Sequence, residues 1–202
     1  MRTFLDSFFI LCLCFTTARS LECTRCTDYS GEGCSQTTSA CPANTNTCVF
    51  TYSELRIANQ VVPLTTKTCG NDNECNQISR MTLAEDTSFL RSSTCCNSDN
   101  CTSPTPILPV LDTTPNGFSC PACYLINSTS CQSTGTIACR GDETRCIRMS
   151  INGGATFSLA FQGCSSANIC SMQQYFNGLN SQLNYGVACC DPSSQGSNTC
   201  TV

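Results

Sequence analysis

The 202-residue chain has no histidine and no tryptophan, and only 12% of it is charged. Without histidine the commonest general base is missing, and with it any Ser-His or Cys-His nucleophile pair. The carboxylate pairs that remain, Asp72 with Glu74, Glu85 with Asp86, and Asp142 with Glu143, lie in polar stretches and read as solvated loops. Catalysis is therefore not expected. Trp is absent and Leu, Ile, Val, Phe and Tyr are thinly spread, so neither half has the apolar mass that a domain of its size usually buries. Helix signals are weak, apart from short turns near Leu83 and Met172. No apolar span follows Leu21, and the stretch from Cys189 to Val202 is polar, so neither a membrane segment nor a C-terminal lipid anchor is expected.

What the chain does have is cysteine, 22 residues of it. Residues 1–20 read as a signal peptide: Met1 and Arg2 precede a short apolar run through Phe8, Phe9, Ile10, Leu11, Leu13 and Phe15, and Ala18-Arg19-Ser20 offers small residues for cleavage before Leu21. Removing them takes away Cys12 and Cys14 and leaves 20 cysteines, an even number in a chain bound for an oxidising compartment. A secreted, extracellular protein with ten bridges and no free thiol is expected, with cross-links substituting for the core. Each bridge contributes about 2–4 kcal/mol by restricting the unfolded chain. The signal segment also holds Arg2, Arg19 and Asp6, so 8 basic and 13 acidic residues remain, a net charge of −5 that argues against nucleic acid as a partner.

The cysteines are written twice. Cys23, Cys26, Cys34, Cys41, Cys48, Cys69, Cys75, Cys95, Cys96 and Cys101 in the first half correspond to Cys120, Cys123, Cys131, Cys139, Cys146, Cys164, Cys170, Cys189, Cys190 and Cys200 in the second. Both sets open with C-x2-C-x7-C, carry six residues between fourth and fifth and five between sixth and seventh, and place the eighth and ninth side by side. Internal duplication follows. The proline-rich stretch 103–118 reads as a semi-rigid linker between modules at 21–102 and 119–202. Its run Ile107-Leu108-Pro109-Val110-Leu111 is apolar enough to favour packing against a module.

The long gaps between cysteines read as hairpins. Ile147, Met149 and Ile151 alternate with polar residues, Asn152-Gly153-Gly154 supplies a reversal, and Phe157, Leu159 and Phe161 alternate on the return. In the first module, Phe50 and Tyr52 lead out and Val61 and Val62 lead back, with a longer polar tip expected around residues 53–60.

The opening Leu21-Glu22-Cys23-Thr24-Arg25-Cys26, the closing Cys95-Cys96-Asn97-Ser98-Asp99-Asn100-Cys101 and the spacings between them resemble the three-finger family of the lymphocyte antigens and the urokinase receptor. The resemblance implies a small disulfide-rich all-β fold, two tandem three-finger domains of the snake-toxin type. Counting alone leaves hundreds of pairings. The family implies Cys23 with Cys48, Cys26 with Cys34, Cys41 with Cys69, Cys75 with Cys95 and Cys96 with Cys101, and then Cys120 with Cys146, Cys123 with Cys131, Cys139 with Cys164, Cys170 with Cys189 and Cys190 with Cys200. Two strings beside the linker, Pro115-Asn116-Gly117-Phe118-Ser119-Cys120-Pro121-Ala122-Cys123 and Cys95 to Thr102, resemble the two-module gamma-type inhibitors of secreted phospholipase A2. Amphibian courtship-pheromone proteins of the sodefrin-precursor type share the layout and imply the alternative, a secreted signal acting on a receptor. Two departures stand out. Thr102 and Thr201 occupy places where the family sets an asparagine that ties down the core, and the last loop of the second module is longer.

Zinc and redox readings of the C-x2-C pairs fail on spacing, since each pair sits in a different module, so no metal or cofactor is expected. Asn127-Ser128-Thr129 is a glycosylation sequon, whereas Asn100-Cys101-Thr102 is compromised by its bridged cysteine. The expected activity is binding, with Tyr52, Leu55, Arg56 and Ile57 on the first central finger and Phe157, Leu159 and Phe161 on the second as contact candidates. Some of these must face inward by alternation. A homo-oligomer is compatible with the sequence.

Overall fold

The computed structural model describes residues 20–30, 37–152, 158–171 and 184–191. Module one comprises β1 (Glu22–Asp28), β2 (Thr37–Ala40), β3 (Thr47–Ile57), β4 (Gln60–Gly70), β5 (Ile78–Ala84) and β6 (Thr87–Cys96). Module two comprises β7 (Pro115–Ile126), β8 (Gly135–Arg140), β9 (Arg145–Asn152), β10 (Ser158–Ser165), the short helix α1 (Ala167–Ser171) and β11 (Asn184–Cys190). The described strands pair antiparallel throughout and join into one sheet running β11-β9-β10-β5-β6-β3-β4-β1-β2, with β7 paired to β10 and β8. Leu83, where a turn was expected, lies inside β5. β7 starts at Pro115, within the stretch read as linker, so extended structure resumes before Phe118.

Three hairpins make the fingers of module one. The central one is longer than its polar tip suggests: β3 and β4 stay in register from Thr47↔Gly70 to Ile57↔Gln60, so Ala58 and Asn59 alone make the turn. Ala58 takes the left-handed region at φ 51° and donates its amide to the Asp86 carbonyl (2.8 Å), bracing this tip against the neighbouring finger.

Among the described residues eight disulfides cross-link the chain: Cys23–Cys48, Cys41–Cys69, Cys75–Cys95 and Cys96–Cys101 in module one, and Cys120–Cys146, Cys123–Cys131, Cys139–Cys164 and Cys170–Cys189 in module two. Cys26 and Cys190 are also disulfide-bonded, while Cys34 and Cys200 lie outside the described residues. Three trios of sulfurs crowd within 4.8 Å of one another, and all of these atoms are already spent in disulfides, which leaves no thiolate for a metal. Beside Thr102, Ser103 donates its buried hydroxyl to the Cys48 carbonyl (3.3 Å), while the Asn100 amide reaches the Glu22 carbonyl (2.9 Å) and the Glu22 amide reaches Asp99 (2.9 Å). Together these close the end of module one onto β1 and the start of β3.

The modules are not beads on a string. β5, the edge of module one, pairs with the end of β10 at Thr82↔Cys164 and Met81↔Ser165. The Ser166 amide continues the contact to the Arg80 carbonyl (3.0 Å), and the Arg80 amide donates to the Ser166 hydroxyl (3.0 Å). Gly163 makes the approach feasible, because a Cβ there would collide with the Thr82 carbonyl. Met81 and Leu83 of module one pack with Ile147, Met149, Phe161, Ile169 and Val187 of module two into one buried cluster. The expectation that sulfur replaces greasy packing thus holds at the finger bases but not at this junction.

The acidic pair Asp142-Glu143, expected in solvent, is drawn into the same junction. Asp142 meets the Arg80 guanidinium at 2.8 Å and stays exposed. Glu143 is 1% exposed and accepts hydrogen bonds from the Thr82 hydroxyl (2.7 Å) and the Arg140 amide (2.8 Å). Burial raises its pKa above the usual carboxylate range, against the opposing pull of these hydrogen bonds and of Arg80.

Candidate binding surface

Register decides which finger residues face out. Directly paired residues share a face, so Tyr52, Glu54 and Arg56 lie on one side of the central finger of module one, with Val61 and Pro63 opposite them. Arg56 donates two bonds to Glu54 (3.0 and 2.7 Å), and the Tyr52 hydroxyl donates to the same carboxylate (3.1 Å). Burial, reinforced by that carboxylate, holds the Tyr52 phenol above its ordinary range. Near the base of this face the Lys67 ammonium sits 4.9 Å from the Phe50 ring centre.

The other face carries an apolar row that crosses four strands, Val62↔Leu55, Leu55↔Phe89 and Phe89↔Met81. It starts in solvent at Val62 and ends in the buried junction at Met81. Leu55, Ile57, Tyr52 and Arg56 are all half-buried, whereas Val61 and Val62 are 52% and 45% exposed. These valines are stronger contact candidates than the four expected residues. The sequence held a signal for them, since two consecutive apolar residues in a strand must put one on each face.

In module two the expectation fails for Phe161. It is 4% exposed and belongs to the junction core, because the alternation that marks the hairpin turns Phe161, Met149 and Val187 onto the side packed against module one. Leu159 is half-buried against that cluster, and Phe157 lies outside the described residues. Among the described residues the exposed large apolar groups of module two are instead Phe118, Leu125 and Ile126 of β7, joined in module one by Tyr29 past β1 and Ile78 of β5. Next to Ile126 along the chain, Asn127 adopts the left-handed region at φ 59°, exposed, with its amide bonded to the Ser158 carbonyl (2.8 Å).

The linker is only partly packed. Pro106 is buried and Leu108, Pro109 and Leu111 are half-buried, yet Ile107 and Val110 stand 83% and 89% exposed, against the expectation that the run packs down. The Thr94 hydroxyl fixes its start by bonding the Pro104 carbonyl. Among the described residues no helix is long and apolar enough to cross a membrane.

Comparison with known proteins agrees with this architecture. Residues 19–104 and 116–200 each match the u-PAR/Ly-6 domain. Phospholipase A2 inhibitor NAI of Notechis ater is 32% identical over 162 residues, covering 77% of this chain and 79% of that protein. A phospholipase A2 inhibitor gamma subunit of Laticauda semifasciata is 32% identical over 158 residues, 75% of this chain and 85% of that one. The urokinase plasminogen activator surface receptor of Mus musculus is 27% identical over 196 residues, 92% of this chain but 57% of the receptor. With both halves matched and the fingers, bridges and strand order in place, this chain belongs to the u-PAR/Ly-6 domain family as a two-module member.

Proposed function

We propose that this is a secreted, non-enzymatic binding protein that inhibits secreted phospholipase A2 by occupying the surface through which the enzyme reaches lipid. The similarity to named phospholipase A2 inhibitors across both modules carries this reading. A rigid scaffold with exposed apolar residues at its finger ends supports it, because a surface already held in its bound form loses little freedom on association. The end of the central finger is the proposed contact surface, with Val61, Tyr52 and Arg56 on one face and Val62, Leu55 and Ile57 on the other, and Asn127 is the proposed glycan site. The test is titration of the recombinant protein into vesicle hydrolysis assays with several secreted isoforms. The reading expects loss of hydrolysis with a defined stoichiometry for at least one isoform. No inhibition of any would discard it in favour of a secreted signal or a different extracellular target.

A further inference from the structure

Behind the first finger of module two lies a cavity of about 640 Å³ unrelated to the apolar finger ends. Its floor is set by register: Gln162 and Arg148 are paired across β10 and β9 and lie on the face opposite Phe161 and Met149. Its wall is the loop from Ser130 to Thr136, fixed by the Cys123–Cys131 disulfide and by the Gln162 side-chain amide, which donates to the Cys131 carbonyl (2.9 Å). Those ties anchor the wall to the sheet at Cys131 and, among the described residues, leave the Gln162 side-chain oxygen without a hydrogen bond, so part of the site is in place before a ligand arrives.

The chemistry of the lining is narrow. Ser130, Gln132, Thr134 and Thr136 present exposed hydroxyl and amide groups around Arg148. Hydroxyls donate and accept with equal ease, which suits a ligand that itself carries many hydroxyls. The Arg148 side chain is exposed and, like those of Arg25 and Arg140, has no ion pair or hydrogen bond among the described residues, but of these three it is the one that lines the cavity. An unpaired guanidinium offers a planar fork that a carboxylate engages with two parallel bonds. One such fork neutralises one negative charge, which a sugar carboxylate has and a phosphate dianion exceeds. The cavity is also larger than one acidic side chain needs, and falls in the range of small-ligand sites.

We infer that this cavity binds a carboxylated saccharide, with Arg148 engaging the carboxylate and the Ser130–Thr136 wall and Gln162 engaging the ring hydroxyls. The inference is independent of phospholipase inhibition. It is tested on the full recombinant chain by saturation-transfer NMR and calorimetry with sialyllactose, lactose, inorganic sulfate and a glutamate-rich peptide as probes. Sialyllactose should bind in the millimolar range or tighter, lactose and sulfate about tenfold more weakly. Arg148→Gln should lower sialyllactose affinity by about tenfold or more while leaving the fold intact, and Arg148→Lys should recover only part of it. Equal binding of lactose would overturn the role of the carboxylate, equal binding of sulfate would reduce the site to an adventitious anion contact, and preference for the peptide would replace the saccharide with an acidic protein segment. Undiminished sialyllactose binding by Arg148→Gln, or none by the parent chain, would end the proposal.

Discussion

Modules one and two carry the same ten-cysteine plan, yet they fill it differently. In module one, Cys23, Cys41 and Cys48 form a sulfur cluster, and most other buried groups on the sheet are polar: Thr47, Thr51, Ser53, Thr65, Ser79, Ser92, Ser93 and Arg91. Module two has its own sulfur cluster around Cys120, Cys139, Cys146 and Cys164 but adds Ile147, Met149, Phe161 and Val187 on one face of its sheet, with Ile169 of α1 packed against them. That face is completed by Met81 and Leu83 of module one. Disulfides therefore set the geometry within a module, and apolar burial sets the geometry between modules.

The largest expected effect tests the second half of that statement. Phe161→Ala should destabilise by about 3–5 kcal/mol in denaturant titration, and the loss should appear in probes placed in either module. If only module two weakens, the cores are separate. Next comes Gly163→Val, which pushes a side chain into the Thr82 carbonyl. About 1–3 kcal/mol of destabilisation is expected, with loss of compactness in small-angle scattering while all disulfides persist. Removing Cys41 and Cys69 together by double alanine substitution sharpens the other half. It should cost about 2–5 kcal/mol in module one and leave the junction amides protected.

A smaller effect concerns Glu143. Its folded pKa is raised by burial, so the native state binds this proton more tightly than the unfolded chain. Its contribution to stability therefore rises as pH falls from the raised folded value toward the ordinary carboxylate range, and is lost again as pH climbs. Glu143→Gln should flatten that part of the stability profile, measured by melting between neutral and mildly acidic pH. An unchanged slope would place the pH dependence elsewhere. The smallest effect is Arg56→Ala, whose pair with Glu54 is partly exposed and is worth about 0.5 kcal/mol. Its use is as a probe of target affinity with little change in stability.

Duplication, the cysteine-linked modules and the all-β class were legible in the sequence because covalent spacing is local and periodic. The junction was not. Met81 and Leu83 look like any half-buried alternation, and nothing local says which strand edge will cover them. Gly163, an isolated glycine within a strand pattern, was the readable hint of a close backbone approach. Glu143 looked solvated because it follows Asp142 in a polar stretch, and only the neighbouring module puts Thr82 against it. The same alternation that revealed the second hairpin placed Phe161 among the contact candidates, although it cannot by itself say which face is covered.

That two modules form one body is tested most directly by hydrogen exchange at the amides of Arg80 and Ser166, whose bonds cross the junction. The account predicts exchange only through global unfolding, at the rate of the central β3 amides. Exchange orders of magnitude faster than β3, with both modules otherwise protected, would show that they open independently and would contradict it.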